Sequence, residues 1–271
     1  MALTSQTLTK PNWELSESNY YDLESDRRYM SNSLYKRFLT CEAQAMAYLA
    51  GEWKNPPNDA LLIGSYVHAA MEGEEALESF KLSTPQLFKK DGDLKSEYKN
   101  ADRMVETLKA DEFITWLYQG PKEVIVTAEM FGVWWKAKLD VLNTRIVDLK
   151  TTRSIRDPVW TPEYGRSSFV EGYGYLRQLA LYREIERRYT GRSEPLEALI
   201  IAVSKEDPPD KEVIGCDEER LAIELEEVEN HMPRVLDVMY DRESPVRCER
   251  CEFCRVSKRL SNVVHYGQLV G

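Results

Sequence analysis

Two aspartates and a lysine, Asp140, Asp148 and Lys150, stand within the stretch AEMFGVWWKAKLDVLNTRIVDLKT that runs from Ala128 to Thr151. Carboxylate oxygens are hard ligands of the kind that Mg²⁺ or Mn²⁺ accepts, and an ammonium beside them can orient or polarise a water on a phosphate. That chemistry requires the three groups to converge. The stretch reads as a strand ending near Glu129, a turn at Phe131-Gly132, a second strand to Asp140, a break at Asn143-Thr144, and a third strand from Ile146 to Lys150. Residues two apart on a strand share a face, so Asp148 and Lys150 point together while Leu149 points into the opposite layer. Charges gathered this way are costly to bury unless they pair or hold a metal. Alone, Asp-x-Lys is equally the pattern of an ion pair on a solvated strand, so its company decides.

The elements around this stretch carry further polar groups. SNSLYKRFLTCEAQAMAYLAG, from Ser31, reads as one helix capped by Ser31 or Ser33 and apolar at Leu34, Phe38, Ala45 and Leu49. Lys36 fits a solvated face, while Arg37 is a candidate for a phosphate. LLIGSYVHAAMEGEEALESF is a second helix, with Gly64, His68 and Glu72 on one face at a spacing of four. ADRMVETLKADEFITWLYQG is a third. VEGYGYLRQLALYREIERRY is a fourth, and it sets Gln178 and Tyr182 on one face in the same way. A lone His, or a Gln one turn from a Tyr, also fits an ordinary packed helix. LEALIIAVSKE reads as a buried strand, and the segment from Asp217 as an amphipathic helix with a solvated acidic face. The Trp134-Trp135 pair suits core packing better than base stacking. The polar loop after Lys150 offers Arg153, Arg156 and Arg166 as phosphate partners.

The chain of 271 residues, with a formal net charge of −10, has room for one large α/β domain. We expect a partly ordered segment at 1–28 and a single domain over 29–271. No apolar run approaches the ~20 residues of a membrane span, and the N-terminus lacks a signal pattern, so the expectation is a soluble, cytoplasmic protein. The negative charge argues against a broad nucleic-acid-coating face, though a local basic groove is compatible with it. Five cysteines without a secretory signal favour metal ligation over disulfides. Cys248-x2-Cys251-x2-Cys254 has a spacing used to hold iron–sulfur clusters, and Cys41 is the candidate for the fourth corner. A structural Cys₄ zinc site is the alternative. Cys216 reads as an ordinary buried thiol.

The D-x7-D-x-K array, preceded by Glu129, resembles the PD-(D/E)xK nuclease superfamily, with Asp140 and Asp148 as its acidic positions and Lys150 as its lysine. G-x3-H-x3-E at Gly64, His68 and Glu72, and Q-x3-Y at Gln178 and Tyr182, resemble the RecB-type pattern within it. One early and three late cysteines resemble the iron–sulfur staple of AddB and CRISPR-associated RecB-like nucleases, although the late spacing here is tighter. The parts occur in the family's order. The resemblance implies an α/β, restriction-endonuclease-like core: a mixed central sheet flanked by helices, with N- and C-terminal helical additions joined by a metal cluster.

By size the chain is most similar to phage RecE-like and λ-type exonucleases. The resemblance implies a metal-dependent exodeoxyribonuclease that resects linear double-stranded DNA 5′→3′, leaving 3′ tails for a RecT-like single-strand annealing protein. It further implies a ring-shaped homo-oligomer in a bacterial host, possibly one encoded by a phage. By the same resemblance, His68, Asp140, Asp148 and the Leu149 carbonyl hold one or two Mg²⁺ (or Mn²⁺) ions and Lys150 activates water. Glu129 contacts a second metal or bridging water, Gln178 and Tyr182 orient the substrate or the lysine, and Ser33, Arg37 and Arg153 touch DNA. Cys41, Cys248, Cys251 and Cys254 carry a [4Fe–4S] cluster. Two other readings stand beside this one: a single-strand DNA exonuclease of CRISPR-associated or helicase-linked repair, and a non-catalytic DNA-end-binding module.

Overall fold

The computed structural model describes residues 9–54, 59–161, 165–260 and 263–268. Its centre is the hairpin that the sequence marks: β1 (Lys122–Met130) and β2 (Val133–Leu142) pair antiparallel around Phe131-Gly132. Both turn residues have positive φ, the two-residue turn whose twist matches that of the flanking strands. β3 (Ile146–Thr152) follows antiparallel to β2, and a separate ribbon pairs β4 (Val159–Thr161) with β5 (Gly165–Ser167). β6 (Ala198–Ser204) then joins β3 in parallel, and β7 (Lys211–Gly215) closes the order β1-β2-β3-β6-β7. This is the mixed sheet that the resemblance to the PD-(D/E)xK superfamily implies.

Every residue of β6 is buried. Ala198, Ile200 and Ala202 pack into one layer, and Leu199, Ile201 and Val203 into the other, which is why this strand reads as a continuous apolar run rather than an alternating one.

The helices depart from the sequence reading at their breaks. α1 (Leu23–Arg28) precedes α2 (Asn32–Thr40) and α3 (Glu42–Ala50), which the sequence presents as one helix. Cys41 divides them by taking extended backbone, φ −168° and ψ 107°. Likewise, α4 (Asp59–Glu72) and α5 (Glu74–Ser83) part at Gly73. α6 (Ser96–Lys109) and α7 (Glu112–Leu117) part where Asp111 accepts from the Phe113 and Ile114 N–H groups, a cap that favours a new start over a continuing helix. α8 (Phe169–Gly172), α9 (Tyr175–Thr190), α10 (Glu218–Met239) and the short α11 (Glu252–Val256) complete the chain. Asp217 occupies the N-cap of α10, yet its side chain makes no capping bond. α2, α9 and α10 pack on one side of the sheet, and α4, α6 and α7 on the other. No helix among the described residues is long and apolar enough to cross a membrane.

Within the segment 1–28, residues 20–28 are built into the fold. Tyr20 and Ser25 are buried. Lys136, itself 2 % exposed, explains why: its ammonium reaches from β2 to the Tyr20 carbonyl (2.6 Å), Ser25 Oγ (2.7 Å) and Asp26 (2.7 Å). A buried ammonium needs such a set of acceptors, and α1, with Tyr20 shortly before it, supplies it.

Candidate active site and cysteine cluster

A cavity of about 640 Å³ opens where β2 and β3 separate. The two strands pair only at Val141 with Val147 and Leu142 with Ile146. Beyond these pairs the ladder on the β2 side ends, and the Asp140 carboxylate takes up the Leu149 N–H through Oδ2 at 2.7 Å. This bond fixes Asp140 with its other oxygen, Oδ1, 3.6 Å from His68 Nδ1 on α4. The face of α4 that carries Gly64, His68 and Glu72 lines the cavity as a unit. At Gly64 the helix approaches β3 closely, since a Cβ there would meet Thr151 Oγ1 at 3.4 Å.

Asp148 and Lys150 enter from the next strand, both pointing away from the layer that buries Leu149. The Lys150 ammonium lies 2.6 Å from Asp148 Oδ2 as an ion pair. Gln178 on α9 donates to Asp148 Oδ1 at 3.0 Å, with Tyr182 one turn further along the same cavity wall. Asp148 is 2 % exposed. Burial pushes its carboxyl up, Lys150 draws it back, and Asp140 adds repulsion, leaving it at about 6. Burial works against the Lys150 ammonium as well, but Asp148 and Asp140 outweigh it, and the group is held above the ordinary lysine range. In the metal-free protein Lys150 is thus held as a cation, placed to donate to a phosphate oxygen or a water.

Glu123 adds a further carboxylate to the cavity, beside those of Asp140, Asp148 and Glu72. Its oxygen, His68 and an Asp140 oxygen lie within 4.8 Å of one another, a donor set suited to a hard divalent ion. Lys138 ion-pairs with Glu123 from β2. The sequence reading has Glu129 contact a second metal or a bridging water, but its position in the strand does not bring it to the cavity. Glu129 faces Trp134 near the turn, beside Arg188 and Tyr189, outside the cavity. Six residues of strand separate it from Glu123, roughly 20 Å. The signal was present in the turn: counting outward from Phe131-Gly132 sets residue 123 across from Asp140, as Lys122–Val141 and Val124–Leu139 show.

Of the proposed DNA contacts, Ser33 lines the cavity. Of the two capping candidates, Ser31 accepts from the Leu34 N–H. Arg37 lies outside, its guanidinium stacked 4.1 Å from the Tyr48 ring centre. Arg153 is also outside, exposed and paired with Asp157 at 3.2 Å. Arg156 is bound to Glu212, and Arg166 points outward from the β4–β5 ribbon. Trp135 is fully buried, whereas Trp134 sits under Lys10. Cys216 is half-buried, its thiol pushed up to about 11 chiefly by burial.

Cys41, Cys248, Cys251 and Cys254 form the second cluster, with all four sulfurs within 4.8 Å of one another. Cys41 Sγ is 3.6 Å from Cys254 Sγ, which is 3.9 Å from Cys248 Sγ. The Cys251 and Cys254 N–H groups donate to the sulfurs of Cys248 and Cys251, at 3.3 and 3.4 Å. The break between α2 and α3 is what turns Cys41 toward the tail. Glu42 secures the junction, accepting from the Val246 N–H (2.7 Å) and from Arg234 (2.9 and 2.7 Å). One Zn²⁺ with bonds of ~2.3 Å in a tetrahedron sets its sulfurs ~3.8 Å apart, close to the Cys41–Cys254 and Cys248–Cys254 separations.

A family model described as a PDDEXK-like domain of unknown function matches residues 31–257, a span that holds both clusters. A search of curated proteins found no match. Among solved structures, the chain is similar to a protein of Eubacterium rectale described as a "putative exonuclease". The two are 36% identical with a TM-score of 0.90, over 95% of this chain and 98% of the other.

Proposed function

The chain belongs to the family of PDDEXK-like domains, and from that premise we propose that it is a divalent-metal-dependent exodeoxyribonuclease acting on the ends of linear double-stranded DNA. The observation that carries this reading is the meeting of Asp140, Asp148, Lys150, His68 and Glu123 in one cavity. The donor atoms of His68, Asp140 and Glu123 suit one Mg²⁺ or Mn²⁺ ion, with Asp148 and the Leu149 carbonyl as candidates for completing the set or holding a second. Such an ion, when bound, supplies a polarised water and stabilises charge on the leaving oxygen. Lys150 then orients the water and the phosphate oxygens as a fixed cation. Gln178 holds Asp148 in place, and the Asp140–Leu149 bond sets the first carboxylate.

The direction of digestion, 5′→3′, the 3′ tail passed to a RecT-like annealing protein, the ring-shaped homo-oligomer and a bacterial cytoplasmic setting rest on the resemblance to phage exonucleases. For the cysteines, the sulfur spacing favours a single zinc ion over a [4Fe–4S] cluster. Metal analysis of anaerobically purified protein tests this: zinc without absorbance near ~400 nm supports it, and iron with inorganic sulfide overturns it.

The activity itself is tested with linear duplex DNA, end-labelled on each strand in turn, in Mg²⁺. Loss of the 5′-ended strand with wild type and not with Lys150→Ala supports the reading. Digestion of single strands alone favours the repair-type nuclease, and binding without digestion favours the end-binding module.

A further inference from the structure

Beside the carboxylate cavity lies a smaller groove, about 180 Å³, between the outward face of α2 and the start of α9. Two cations converge there. Lys36 donates to the Tyr173 carbonyl at 3.1 Å. Arg177 folds back over Gly174, the N-cap of its own helix, so closely that a Cβ on Gly174 would sit 2.6 Å from Nη2. Gly174 also has φ +73°, a backbone conformation that favours glycine.

Neither cation has a carboxylate partner among the described residues. Arg177 lies 5.8 Å from the Tyr35 ring centre, its Nε is buried without an acceptor, and Lys36 donates only to a backbone carbonyl among the described residues. Two carboxylates line the groove, but Glu171 is held in the capping box of Ser168 and Glu224 by Arg220. Partial burial, then the charges of Arg177 and Lys150, hold the Lys36 ammonium below the ordinary lysine range.

The helix end compounds the imbalance. α9 is 16 residues long and its N-terminus has no side-chain cap, so its first-turn amides present the positive end of the dipole. Arginine is ordinarily favoured at the opposite end of a helix. Lysine, arginine and helix terminus therefore repel one another until an anion stands between them, when all three become donors to it.

The location indicates which anion. Gln178, the residue after Arg177, bonds Asp148 at the reaction centre, and Ser33 lies one turn before Lys36 in the main cavity. Resting on the nuclease reading, we propose that Lys36, Arg177 and the first amides of α9 grip a backbone phosphate of the nucleic-acid strand beside the phosphate under attack. The contact is indifferent to base sequence and holds the strand in register with the carboxylates.

The test measures binding of a short fluorescent duplex, with Ca²⁺ in place of Mg²⁺, across a salt series. The proteins are wild type, Lys36→Met, Arg177→Gln and, as a remote control, Arg242→Gln, whose exposed side chain pairs with Asp237 near the end of α10. Each groove variant should weaken binding several-fold at low salt and reduce the slope of log Kd against log salt by about 0.9, while Arg242→Gln matches wild type. Lys36 lies on the outward face of α2, so Lys36→Met should keep the wild-type melting temperature. A folded Lys36→Met with wild-type affinity and slope overturns the grip, as does an equal loss in Arg242→Gln. Failure of wild type to bind or cut linear DNA overturns the nuclease reading and the grip with it.

Discussion

The two clusters of this chain that could hold a metal are built in opposite ways. The carboxylate cavity draws Asp140, Asp148 and Glu123 from three neighbouring strands of one sheet, over residues such as Val147, Leu149 and Ile200 that are fully buried. The cysteine cluster draws three ligands from a short tail in which Val246 and Val256 are exposed, and the fourth from a gap between two helices. In the first, the core holds the ligands in place whether or not a metal is bound. In the second, few apolar contacts are available, so a bound metal would supply order that the tail does not gain by burial. On the proposed reading, the difference assigns chemistry and folding to separate sites, and each should be breakable alone.

The largest effect expected is in chemistry without folding. Lys150→Ala should reduce cleavage by roughly a thousandfold, with a melting temperature close to wild type; a variant that unfolds instead would show that the pocket too depends on its charges for structure. Next comes folding without chemistry. Removal of the cluster metal, or Cys254→Ser, should open residues 245–257 and the α2–α3 junction to hydrogen exchange and lower the melting temperature by several degrees, while the amides of β3 and β6 stay protected. Simultaneous loss of protection in both regions would erase the distinction.

Smaller effects sharpen the map of the cavity. Glu123→Gln should weaken activating metal by roughly 10- to 100-fold in an isothermal titration, whereas Glu129→Gln should lie within about twofold of wild type, because a residue that far along the strand reaches no ligand. The reverse order would restore Glu129 to the site. Last is pH. The Asp148 carboxyl of the metal-free protein, pushed up to about 6 chiefly by burial, must lose its proton before it ligates. Metal affinity should thus fall by up to about tenfold per pH unit below that value and level off above it. A flat profile between the two ranges would remove Asp148 from the ligand set.

Much of the site could be read without coordinates. The Phe131-Gly132 turn, the alternation that sets Asp148 beside Lys150, and the spacing of four that aligns Gly64, His68 and Glu72 are properties of a few consecutive residues. Local periodicity governs them, and the structure places Asp148, Lys150, Gly64, His68 and Glu72 on one cavity. The cysteine spacing was legible for the same reason. Glu123 lay within reach of the same reasoning, through the hairpin register, but no short motif marks it.

What only the tertiary structure decided depends on where distant elements meet. Nothing in the run from Thr40 to Ala43 breaks a helix; the extended Cys41 goes with the docking of the tail, through Val246, Glu42 and the facing sulfurs. The parting of β2 from β3, which frees the Leu149 N–H for Asp140, likewise leaves no mark in either strand's sequence. Lys36 reads as a solvated lysine until α9 brings Arg177 against it. Helix breaks, strand divergence and converging charges are set by long-range packing and electrostatics, and the residues that determine them are spread along the chain.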